Sequence, residues 1–98
     1  MEMSDLTAKQ KKHLRALGQQ IHAMASVGKA GLSDNVIEGI KTLLEQHELV
    51  KVHIPAGGGD ARTAMADELA LRTESQRIAL VGRMVLLYRA NGRFVVTP

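Results

Sequence analysis

Apolar residues recur with helical spacing at the start of the chain. Leu6, Leu14, Leu17 and Ile21 fall in one narrow arc at about 100° per residue, so a helix is expected from about Thr7 to Gln20 with that stripe facing a core. A second helical pattern follows at Val36, Ile37, Ile40, Leu43 and Leu44, predicting a helix from Asp34 to Gln46. Gly39 lies inside it and costs about 1 kcal/mol relative to Ala unless something packs closely there. From His47 to Ile54 the period drops to two. Val50, Val52 and Ile54 face one way, and Leu49, Lys51 and His53 the other. That strand therefore has a polar, basic face, and the sheet is expected to be partly open to solvent there. Lys51 on an edge strand would also discourage strand pairing.

The remaining elements are weaker in pattern. His22 to Val27 is a short apolar segment that reads as a strand running into a glycine turn. Pro55 to Gly59 is a loop. Asp60 is expected to N-cap a third helix ending near Arg72, with Met65, Leu69 and several alanines on its sheet-facing side. Arg77 to Val81 and Val85 to Tyr88 read as strands joined at Gly82-Arg83-Met84 by a tight turn or a bulge. Asn91-Gly92 is a further turn signal, and Phe94 to Val96 is a candidate last strand. The order α-β-α-β-α-β-β implies a single compact α/β domain. Its four-stranded mixed sheet packs with helices, with some parallel pairing and an antiparallel final hairpin.

Composition narrows the chemistry. The chain has 98 residues, is 45% apolar and contains no Cys, no Trp, one Tyr and one Phe. The core must be aliphatic, and a face that stacks bases on aromatic rings is disfavoured. Disulfides and thiolate metal sites are excluded. No apolar run is long enough to span a bilayer, so a cytoplasmic location without membrane association is expected. Four histidines (His13, His22, His47, His53) never form an H-x-x-x-H pair, so no metal is expected. His47 reads as ending the second helix, where a positive charge suits the dipole. No carboxylate pair, Ser-His-Asp order or activated thiol is present, and Asp60, Asp67 and Glu68 read as helix-dipole partners. Neither an enzyme, a cofactor nor a small-molecule substrate is expected.

The net charge is +3, and its placement matters more than its size. Lys9, Lys11, Lys12 and Arg15 lie opposite the apolar stripe of helix one, with no acid between Thr7 and Gln20. They form either a solvated face or a phosphate-contacting one. Val27-Gly28-Lys29-Ala30-Gly31-Leu32 is a G-K-x-G turn feeding the capping residues Ser33, Asp34 and Asn35. Glycines allow a sharp bend and close approach, and a lysine beside a helix N-terminus suits a polyanionic backbone. A plain left-handed turn with an exposed lysine is the simpler alternative. A nucleotide-hydrolysing P-loop is excluded, because Ala30 stands where Ser or Thr must follow the lysine.

Taken together, four blocks resemble the CRS1-YhbY (CRM) domain family. They are Leu6 to Leu17, Val27 to Leu32, His47 to Val52, and Val81 to Arg89, in the family's order. A stand-alone chain of this length resembles the bacterial type. The resemblance implies an α/β domain similar to the C-terminal domain of translation initiation factor three. It also implies RNA binding through the GxxG loop (Gly28, Lys29, Ala30 and Gly31). The basic slots at Lys9, Lys11, Lys12, Arg15, Lys51, Arg83 and Arg89 match the pattern. The implied partners are precursor ribosomal RNA and pre-large-subunit particles, with the chain acting as a monomeric assembly factor. A different class of function stays open: a module docking on a ribosomal protein or GTPase through an apolar patch at Met84, Tyr88 and Phe94.

Overall fold

The computed structural model describes residues 6–55 and 57–90. The candidate strand at Phe94 to Val96 and the Asn91-Gly92 turn lie outside these residues. The elements are α1 (Ala8–Gly18), β1 (Ala25–Ser26), α2 (Asp34–His47), β2 (Leu49–His53), α3 (Gly59–Arg72), β3 (Gln76–Val81) and β4 (Met84–Tyr88). The sheet order is β1-β2-β4-β3. β1 runs parallel to β2, while β4 is antiparallel to both β2 and β3. The mixed α/β architecture expected from the sequence is the one observed.

Three layers result from the two faces of β2. Val50, Val52 and Ile54 join Val85 and Leu87 of β4 on one side. There they pack against Ile37, Ile40 and Leu44 of α2 and Ala66, Leu69 and Ala70 of α3. On the other side Leu49, Leu86, Tyr88 and Ile78 pack against Leu14, with Leu6, Leu17 and Ile21 around it. The arc read from helix one is thus its buried stripe. α1 starts at a capping box in which Thr7 and Gln10 satisfy each other's backbone N–H groups at 2.9 and 3.0 Å. It ends at Gly18, whose missing side chain lets the helix lie on β4. A Cβ there would come within 2.5 Å of a Leu86 methyl.

Several expectations are corrected. β1 is only two residues long, although the Met24 and Val27 N–H groups extend its bonding to the Lys51 and His53 carbonyls. Asp60 is not the N-cap of α3. Gly58 occupies that position without a side-chain bond, and Asp60 sits in the first turn. β2 begins only after Glu48, which is 1% exposed and held at φ +59°, so the strand opens at Leu49, while His47 ends α2 as expected. β2 is also an interior strand, so Lys51 guards no edge. Gly82-Arg83 forms a tight turn with Gly82 at φ +58°, and the irregularity falls at Ile78. That bulge puts Ile78 and Ala79 on the same side of the sheet, against α1.

Gly39 has open space where a Cβ would stand. Gly39→Ala should therefore raise stability by about 0.5–1 kcal/mol, and a lower urea midpoint would show an unseen close contact. Burial, and then the Glu48 carboxylate, raise the Tyr88 phenol above the ordinary tyrosine value. Its contribution to stability is complete below about pH 10 and is lost as pH rises through the higher folded value. Tyr88 is the one tyrosine of the chain. Ultraviolet titration should give a single phenol midpoint that falls on unfolding in urea; identical midpoints in both states would refute the burial argument.

Candidate nucleic-acid interface

The glycine loop is built from both of its ends. Upstream, the Val27 N–H donates to the His53 carbonyl at 2.8 Å and fixes the exit of β1. Within the loop the Gly31 N–H donates to the Gly28 carbonyl at 3.0 Å, and Gly31 takes φ +77°, a conformation L side chains rarely adopt. Gly28 has no positive φ, so its value lies elsewhere: nothing lies within 4 Å of a Cβ built at Gly28 or Gly31. Downstream, Ser33 caps α2 by accepting the Val36 N–H at 3.3 Å. Gly28, Lys29 and Ala30 are exposed. The loop presents an open backbone and one lysine to solvent at the start of a 14-residue helix.

Arg72 holds this loop from α3, and nothing in the sequence pattern singled it out. Its Nη1 donates to the Leu32 carbonyl at 2.8 Å, and its Nη2 reaches Asp34 at 3.4 Å. The Asp34 carboxylate is fully exposed, so this ion pair adds little. The carbonyl bond is the anchor. Only the three-dimensional approach of the α3 C-terminus to the α2 N-terminus creates it.

The same end of the sheet carries a second cation. The Ile54 N–H donates to the Arg83 carbonyl at 2.8 Å, next to the His53 carbonyl that receives Val27. The Gly28 loop and the exposed Gly82-Arg83 turn therefore flank the end of β2. Met84 and Val81 follow at the root of that turn, and they share an open groove with Arg15 and Gln19 of α1. The cations of α1 (Lys9, Lys11, Lys12 and Arg15) are all exposed, and Arg15 borders that groove. Among the described residues none of these four, nor Lys29 or Arg83, has an ion-pair partner.

Two expected members do not join them. The Lys51 Nζ donates to the Gly18 and Ile21 carbonyls at 2.9 and 3.2 Å, closing the C-terminal end of α1 from below. The basic face of β2 is thus covered by α1 at Leu49 and Lys51 and opens only beyond them. Arg89 lies at the opposite end of the sheet, its side chain 19% exposed. It donates to the Thr73 carbonyl at 3.1 Å and lies 3.8 Å from both Glu45 and Glu74. Both cations are structural ties. Sequence alone could not separate them from free ones, because the partners are distant carbonyls and acids. Tyr88 is likewise buried beneath α1, so the apolar docking patch loses its central member, and Phe94 lies outside the described residues. Among the described residues no group of His, Asp and Glu could hold a metal, and no helix is long and apolar enough to cross a membrane.

The CRS1/YhbY (CRM) domain model matches residues 6–89. The chain belongs to that family. It is 34% identical to a probable RNA-binding protein of Pseudomonas aeruginosa over 86 residues, covering 88% of this chain and 83% of that protein. It is 33% identical to a probable RNA-binding protein of Bacillus subtilis, covering 88% and 90%. The solution structure of a Staphylococcus aureus protein proposed to bind RNA superposes with a TM-score of 0.78 at 36% identity, covering 88% and 90% of the two chains.

The division between tied and free cations is measurable. Lys51→Met should lower stability by about 1–3 kcal/mol, because two carbonyls lose a charged donor, while Lys29→Ala should leave the urea midpoint unchanged. Equal midpoints for both variants would mean that the Lys51 ammonium is solvated.

Proposed function

We propose that this protein binds structured RNA by its phosphate backbone. Lys29 and the open glycine loop form the central contact, and Lys9, Lys11, Lys12, Arg15 and Arg83 extend it. One observation carries the reading: among the described residues these cations lack protein partners, and they lie on the loop, the adjoining turn and the exposed surface of α1. By contrast Lys51, Arg72, Arg77 and Arg89 are engaged within the fold, while Lys41 of α2 and Arg62 of α3 are also without a side-chain partner among the described residues but belong to neither the loop, the turn nor α1. Membership of the CRM family, with relatives named for RNA binding, supports the same partner. An amine free of intramolecular bonds can follow the phosphates of an irregular strand, and a backbone without Cβ atoms lets a phosphate approach the N–H groups. Selectivity then comes from shape more than from base identity.

The finer reading is that the RNA is precursor large-subunit ribosomal RNA and that the chain acts as a monomeric assembly factor in the cytoplasm. The family resemblance is its support. Catalysis has no part in this reading, which needs only contacts to the RNA backbone.

Anisotropy binding to ribosomal RNA fragments across a salt series tests the backbone mode. Log affinity should fall linearly with log salt, by about 0.7–0.9 per phosphate contact. The Lys12→Ala/Lys29→Ala double variant should bind more weakly, with a slope shallower by about 1.5. A slope unchanged in that variant would remove these lysines from the interface. Large-subunit fragments should outcompete small-subunit fragments of equal length, and equal competition would overturn the ribosomal assignment alone.

A further inference from the structure

The uncovered part of the sheet beside α1 has a chemistry of its own. Between the last turn of α1 and the β3–β4 hairpin lies an open groove of about 200 Å³. Its floor is largely aliphatic, formed by Ala79, Val81, Met84 and Leu86 beside Lys51, whose ammonium is tied to the Gly18 and Ile21 carbonyls, and Val81 is 72% exposed. Its helix-side wall is polar. Arg15 and Gln19 stand there, and neither side chain has a hydrogen-bond or ion-pair partner among the described residues. A flat apolar floor, a planar cation and a free amide match the three recognition elements of a nucleobase: its π face, its preference for a guanidinium plane, and its hydrogen-bonding edge. The volume falls below the roughly 300–1,000 Å³ of clefts for drug-sized ligands and is too small for a peptide helix about 10 Å across.

Position selects the base further. Met84 follows Arg83, whose carbonyl ties the hairpin to the end of β2 where the glycine loop begins. A strand whose phosphates lie along Lys29 and Arg83 passes the mouth of the groove. We propose that the groove receives one unstacked base of the bound RNA, packed on Val81 and Met84, covered by the Arg15 guanidinium and read at its edge by Gln19. This rests on the RNA-binding reading above. It explains how a chain with a single, buried tyrosine among its described residues holds a base without an aromatic platform: the guanidinium supplies the flat partner.

The test uses the full chain and two RNA hairpins, one fully paired and one carrying a single 2-aminopurine bulge in the same stem. The bulged hairpin should bind about tenfold more tightly, with a change in 2-aminopurine fluorescence on binding. Val81→Ser/Gln19→Ala alters two exposed side chains and should erase that preference, leaving the affinity for the paired hairpin and the salt slope intact. Equal affinities of the unmodified protein for both hairpins, with a steep salt slope, would overturn the groove assignment and leave backbone binding standing. No binding to either hairpin at low salt would overturn both readings and turn attention to a protein side chain as the occupant.

Discussion

Strand β2 is the constraint on which the structure depends. It is hydrogen-bonded on both sides and covered on both faces, so each of its residues has one permissible direction. Val50, Val52 and Ile54 lock α2 and α3 to one side, while Leu49 and the Lys51 ammonium hold the two ends of the α1 contact on the other. A slip of one residue would turn Lys51 into the aliphatic core and take Val50, Val52 and Ile54 away from α2 and α3. The Lys51 bond to the end of α1 thus does two jobs. It satisfies helix-terminal carbonyls that would otherwise lie half-buried, and it marks where the helix stops covering the sheet.

Cations of two kinds meet around the sheet. Lys51, Arg72, Arg77 and Arg89 join elements distant in sequence, each through a carbonyl or a carboxylate. The cations of α1, the loop and the hairpin turn have no such task among the described residues. Their mutual repulsion is tolerated because water screens it, and it is relieved when a polyanion arrives. Arg72 connects the two sets: a structural arginine that holds the exit of the loop on which the free lysine rides.

Much of this was legible in the sequence, and the failures have physical causes. The first two helices and their buried stripes follow from periodicity, since Leu14, Ile40 and Leu44 had to find a core. β2 was plain from its alternation. β1 is shorter than its apolar run suggests, because only Met24 to Val27 bond to β2 and His22 and Ala23 precede that pairing. The bulge at Ile78 left no trace, as a continuous aliphatic run hides a change of phase. Of the candidate site, the loop and the α1 face were readable from local pattern. The duties of Lys51, Arg72 and Arg89 were not, because each is defined by a partner many residues away. Gly18 passed unnoticed for the same reason: its neighbour is Leu86.

The bulge at Ile78 has a consequence for the company the protein can keep. β3 forms one edge of the sheet, and its broken repeat bends the row of outward N–H and C=O groups that a foreign strand would need. The opposite edge, β1, offers only two residues. Among the described residues neither margin is a long, regular template for main-chain zippering. The molecule is thereby steered away from β-augmentation and fibrillar stacking, and towards contacts made by side chains and turns.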